Sequence, residues 1–137
     1  MRIFFDSSAF AKRYVREPGS DRVLELCAEA DRVVLSQITP VEVLSAATRL
    51  RRDGALPTSA YRRLKRAIGE DVAEAELIEL SVGVIRLAIH ALERAPLRTL
   101  DAFQVGAAMH SKVDLFVSAD ARQIRSARVL RLKVEHV

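Results

Sequence analysis

Five short runs of strand-forming residues, RIFF near the amino terminus and then RVVLS, AELIELS, DLFVSAD and VLRLKVEHV, alternate with segments that read as helices. This alternation constrains the fold more than any other feature. A strand, a helix and a second strand close as a parallel pair with a right-handed crossover, and repetition of the unit gives a parallel sheet with helices on both faces. RVVLS is apolar on both faces, as a strand covered by helices should be. AELIELS is interrupted by Glu76 and Glu79, and VLRLKVEHV alternates in the manner of an edge strand. The intervening helices are SAFAKRYV, DRVLELCAEA, TPVEVLSAATRLRRDG, PTSAYRRLKRAIGED, VGVIRLAIHALERA, TLDAFQVGAAMHSK and ARQIRSA. Ser20, Thr39 with Pro40, and Thr99 read as their starts, Gly54 and Pro96 as their ends. VGVIRLAIHALERA is apolar on most sides, and TLDAFQVGAAMHSK has side chains small enough for close packing. The chain of 137 residues is read as one α/β domain.

Half of the residues are hydrophobic and only 5% aromatic, so the core is expected to be aliphatic. No apolar stretch approaches the ~20 residues of a membrane span, and no signal-peptide pattern opens the chain, which reads as cytoplasmic. Cys27, the one cysteine, makes neither an internal disulfide nor a zinc site by itself. The net charge of +4 is unevenly spread: seven basic residues fall between Arg49 and Arg66 against Asp53 alone, and Arg122, Arg125, Arg128, Arg131 and Lys133 follow near the carboxyl end. Such clusters suit a polyanion through counterion release, and equally a solvated helix face. Charge alone does not separate the two.

The acids are more informative. In doubly wound sheets functional groups gather beyond the carboxyl ends of strands, near the point where strand order reverses. Asp6 stands there after RIFF, and Asp120 after LFVSA. Asp114 precedes that strand, and six residues at ~3.3 Å each put it roughly 20 Å away on the opposite rim. Asp101 lies in the first turn of its helix, where the helix dipole favours a negative charge. Glu42 fits the capping box Thr39-Pro40-Val41-Glu42, so it is read in isolation as a cap and in company as a site residue. Four carboxylates in one crevice repel one another unless a cation lies between them, and a hard divalent ion with oxygen ligands meets that need. Acids within and arginines around them form the charge plan of a metal-dependent nuclease. Ser7, Ser8 and Ser118 are placed to donate to a carboxylate or a metal-bound water, although Ser7 or Ser8 also reads as the cap of the first helix. His90, His110 and His136 have no zinc spacing, no Gly-rich phosphate loop follows RIFF, and no G-x-S-x-G elbow occurs. A receiver-type phosphoacceptor site would need an acidic pair after the first strand and an aspartate after the third, where Ser7 and Ser81-Val82-Gly83 stand instead.

Asp6 in FFDSSAFAKRY, Glu42 in ITPVEVLSAATR, Asp101 in RTLDAFQVGAA and Asp120 in FVSADARQIRSA, with the turn EPGS after the first helix, together resemble the PIN-domain ribonucleases, specifically the VapC-type toxins of toxin–antitoxin pairs. The resemblance spans nearly the whole chain and rests on four acids in order and context. It implies a single PIN-like domain over residues 1–137, a three-layer α/β/α fold with a five-stranded parallel sheet of order 3-2-1-4-5. It also implies Mg²⁺- or Mn²⁺-dependent cleavage of RNA, a homodimer, and a VapB-type antitoxin. Carried over residue by residue, Asp6, Asp101 and Asp120 are metal ligands, and Glu42 binds metal through water or orients the nucleophile. The chain departs from many relatives in having no second carboxylate beside Asp120, which leaves the metal count open. The alternative is a non-catalytic PIN-like module that binds RNA or protein through the same groove.

Overall fold

A computed structural model describes residues 1–137. Five strands, β1 (Arg2–Phe5), β2 (Arg32–Ser36), β3 (Glu76–Ile78), β4 (Leu115–Ser118) and β5 (Val134–His136), form one parallel sheet of order 3-2-1-4-5. The helices are α1 (Ser7–Ala11), α2 (Ser20–Glu29), α3 (Thr39–Arg52), α4 (Thr58–Glu74), α5 (Val82–Arg94), α6 (Thr99–Ser111) and α7 (Ala121–Val129). Alternation along the central strands splits the core into two layers. Ile3, Phe5, Leu115 and Val117 point to one face and pack against α1 to α4, while Phe4 and Phe116 point to the other with α5 to α7. Register places Phe4 beside Phe116, and their rings stack at 5.5 Å. No helix is long and apolar enough to cross a membrane.

The chain runs outward from β1 through β2 to β3 and then returns to lay β4 on the free side of β1. The reversal falls between β1 and β4, and the pairing of Phe5 with Val117 brings Asp6 level with Ser118. Asp114 lies at the other end of this pair, where its carboxylate accepts from the Arg2 backbone N–H at 2.7 Å, as its place before the strand predicts.

Both edge strands are shorter than their sequence patterns. β3 stops at Ile78 because its only neighbour, β2, ends at the paired Ser36. In VLRLKVEHV only Val134–His136 pairs: Val129 still belongs to α7, and Arg131 turns the chain with a left-handed φ of 64°. Leu130 and Leu132 point into the core from this turn, so burial alone produced part of the alternation. α1 ends at Ala11, before the expected Val15; Arg13 and Tyr14 beyond it both bind Asp71 of α4, at 2.7 Å and 2.6 Å.

Candidate active site

Asp6 is the last residue before α1 and is 1% exposed. Its Oδ1 accepts from the Ala9 backbone N–H at 2.8 Å and from Ser8 Oγ at 2.7 Å, and its Oδ2 accepts from Ser118 Oγ at 2.5 Å. Asp6 itself caps α1, which corrects the reading of Ser7 or Ser8 as the cap. The serines are turned to other work. Ser8 Oγ also accepts from the Ala119 N–H at 3.0 Å and Ser118 Oγ from the Asp120 N–H at 3.0 Å, so the two hydroxyls tie the ends of β1 and β4 together. Ser7 faces the opposite way and donates to Glu42 Oε1 at 2.7 Å.

Thr39 and Glu42 do not form a capping box. Thr39 is the first residue of α3 rather than its cap, and its buried hydroxyl faces Gln104 of α6. Gln104 Nε2 also reaches Ser7 Oγ at 2.7 Å and Glu42 Oε1 at 2.8 Å. Glu42 is thus drawn away from its own helix start into a buried polar cluster, with both bonds on Oε1. Thr99, the expected cap of α6, is likewise its first helical residue, and Ser20, the expected cap of α2, closes the preceding turn by accepting from the Glu17 N–H.

Asp101 and Asp120 complete the set from the first turn of α6 and the N-cap of α7. Asp120 accepts from the Arg122 N–H at 2.8 Å, and Gln123 of α7 donates to the Asp101 carbonyl at 3.4 Å, holding the two helix starts together. A crevice of about 130 Å³ results, lined by Asp6, Ser7, Ser8, Glu42, Arg98, Asp101, Gln104, Asp120 and Gln123, none of them hydrophobic. All four predicted acids and two of the three predicted serines line it; Ser118 is fully buried beneath Asp6.

Burial dominates the electrostatics of Asp6. Desolvation raises its pKa to about 6, against the bonds from Ser118, Ala9 and Ser8 that favour the charged form, and the nearby Asp101 charge pushes the same way as burial. Asp120 moves oppositely: partial burial is outweighed by the backbone N–H groups of Arg122 and Gln123 and by the charges of Arg122 and Arg98, which hold it below its usual value.

Residues 3–129 match the PIN domain family. The chain belongs to that family. No curated protein matches it, but solved structures do. VapBC2 from Rickettsia felis, bound to a DNA fragment from its promoter, superposes with a TM-score of 0.74 at 12% identity, covering 100% of this chain and 99% of the other. FitAcB from Neisseria gonorrhoeae gives 0.72 at 14% identity over 96% and 95% of the two chains. VapC20 from Mycobacterium tuberculosis, described as a sarcin-ricin loop cleaving toxin, gives 0.66 at 16% identity over 88% and 92%. At these identities the likeness is one of fold.

In this PIN domain the donor set suits a hard divalent cation: carboxylate and hydroxyl oxygens, with no sulfur or imidazole lining the crevice. As the side chains stand, no three acids converge on one point, and Asp101 and Asp120 are both paired with arginines. Two residues of this site were missed in the sequence reading. Gln104 and Arg98 each lie three residues from Asp101, so one face of α6 and its cap carries all three. A glutamine within the small apolar run AFQVGAA was the available signal for the first. Gln104→Leu keeps the volume but strips the cluster of its donor. Urea unfolding should show a loss of ~1–3 kcal/mol as the buried partners of Gln104 are left unpaired. Unchanged stability would show that the cluster is held without Gln104.

Proposed function

We propose that this PIN domain is a Mg²⁺- or Mn²⁺-dependent endoribonuclease of the VapC toxin type, hydrolysing RNA phosphodiesters with a metal-activated water. The observation that carries the reading is Asp6: a nearly inaccessible carboxylate, raised to about 6 by burial, set in a wholly polar crevice with three further acids. Burial penalises this charge more strongly than the cap bond to α1 and the serine bonds relieve it, and groups perturbed in this way cluster at functional sites. Asp6, Asp101 and Asp120 would hold the ion. When bound, the ion polarises the phosphodiester and lowers the pKa of water. Glu42 takes its two bonds on Oε1, which leaves Oε2 to orient the attacking water and accept its proton. Ser8 and Ser118 fix Asp6, and the basic residues outside the crevice hold the flanking backbone. The direct test adds purified protein and Mn²⁺ to a structured RNA. Cutting should stop in EDTA and in Asp101→Asn. RNA bound but uncut at every Mn²⁺ concentration would favour the non-catalytic module.

The VapBC structures among its neighbours support a VapB-type antitoxin as partner, and we place both in the cytoplasm with the RNA. A groove of about 420 Å³ between α1, α3 and α4, lined by eleven hydrophobic residues and Arg63, is the surface we assign to it. The basic α3–α4 segment around it favours an antitoxin segment with apolar anchors and acidic flanks. For the homodimer we assign the outer face of α5, where Val82, Ile85, Ile89 and Leu92 are 40% to 65% exposed at the spacing of a helical seam. The inner face of the same helix is buried, so α5 is apolar on both sides, the pattern of a helix covered twice. Ile89→Glu should sediment as a folded monomer where the original chain sediments as a dimer; an unchanged dimer would move the interface elsewhere.

A further inference from the structure

We propose that Arg98 is a tethered cation of the acidic crevice, holding Asp101 and Asp120 until a divalent ion displaces it, and then binding the RNA phosphate that enters. The inference rests on reading the crevice as a metal-dependent RNA-cleaving site. Arg98 precedes α6 in an extended conformation and its backbone position makes no side-chain cap, which leaves the guanidinium free to fold over the first helical turn. Its Nε donates to Asp101 Oδ2 at 3.0 Å, and its Nη2 lies 4.0 Å from Asp120 Oδ2 on the opposite wall. A single side chain thus spans the starts of α6 and α7. It is the only positive group among the nine that line the crevice, against four carboxylates.

Two properties suit this cation to exchange rather than to permanent bracing. The Arg98 side chain is 72% exposed, and ion pairs in water are weak, so the contacts break at little cost. A guanidinium also presents a planar fork of donors that fits phosphate as well as carboxylate. Arg98 lines both the crevice and an adjoining hollow of about 380 Å³ bounded by Glu42, Thr99, Leu100 and Asp101, so release from the acids leaves it at the mouth. Arg122, whose Nε is 3.7 Å from Asp120 Oδ1, touches the same acid but does not line the crevice.

The test measures metal and RNA separately on the full chain. Calorimetric titration with Mn²⁺ should show Arg98→Ala binding about two- to fivefold more tightly than the original, since a competing cation has gone. Arg98→Lys, which keeps the charge, should stay near the original. At saturating Mn²⁺ the alanine variant should cleave RNA with kcat/KM lowered about 10- to 100-fold, and its log affinity for RNA should depend on log salt with a slope shallower by about one. Tighter metal with poorer cleavage is the signature. A structural brace would weaken both, and a spectator would alter neither; either result overturns the proposal. Equal Mn²⁺ affinity in the two chains would remove Arg98 as competitor and leave the nuclease reading intact, whereas no Mn²⁺ uptake by any variant would remove both.

Discussion

Asparagine at position 6 is expected to abolish RNA cleavage and yet leave the metal-free protein at least as stable as the original near neutral pH. The two halves of this result have one origin. Asp6 ionises at about 6 in the folded chain against an ordinary 3.8, chiefly because burial penalises its charge. Below the ordinary value both folded and unfolded chains hold the proton, and the group costs nothing. As pH rises through the interval the unfolded chain releases its proton first, so stability falls, and above about 6 a penalty of roughly 3 kcal/mol stands in full. Asparagine removes the penalty and keeps most of the bonding. Its amide oxygen accepts from the Ala9 N–H and Ser8, while its NH₂ group faces Ser118 in place of Oδ2. What it lacks is the charge that would hold a cation, and losing several kcal/mol of that stabilisation lowers the rate by ~10³-fold or more.

Urea unfolding in EDTA at about pH 4.5 and about pH 7.5 reads the stability half. The original chain should weaken between them and the Asp6→Asn variant should not. Added Mn²⁺ should then restore the original and leave the variant unmoved, since only a ligand held by the native state stabilises it. A variant destabilised equally at both pH values would mark Asp6 as a cap of α1 and nothing more.

The strand order was implied by the family resemblance, whereas the parallel sheet, the rim occupied by each acid and the grouping of Asp6, Glu42, Asp101 and Asp120 could be read from the residues before any coordinates. The latter depend on alternation and on where a carboxylate falls relative to a strand end, which are local facts of the chain. What was misread depends on lateral neighbours. Thr39 and Glu42 have the spacing of a capping box, yet both turn toward Gln104, a residue of another helix whose approach no local pattern records. Ser7 and Ser8 are good caps by type, but the adjacent carboxylate takes that role because Ser118 and Ser8 lock its orientation from below. β3 is set by where β2 stops, a property of the partner strand, and β5 by the end of α7 and the turn at Arg131. The helix α5 was visibly apolar on most sides; its second apolar face found no cover within the chain.

Gly106 should be the least replaceable residue of the α5–α6 pair, by an argument that applies to one glycine and not to another. A Cβ built at position 106 would lie 2.8 Å from the Ala88 backbone N and 3.0 Å from the Val84 carbonyl oxygen. Both are backbone atoms of α5, so no side chain can swing aside and the helices themselves must part. The inner face of α5 is correspondingly small, with Ala88 and Ala91 buried beside Val84. Gly106→Ala recovers ~1 kcal/mol of helix propensity but meets an overpacking cost of ~1–3 kcal/mol, for a net loss. Gly106→Val should lose about 3 kcal/mol or more and should also depress cleavage in the fraction that folds, because α6 carries Asp101 and Gln104. Gly69 in α4 supplies the control: a Cβ there meets nothing within 4 Å, so Gly69→Ala should stabilise by ~0.5–1 kcal/mol. Denaturation of the two alanine variants side by side decides the matter. If Gly106→Ala gained stability as Gly69→Ala does, α5 and α6 would not be in backbone contact, and the placement of Asp101 and Gln104 over the crevice would lose its support.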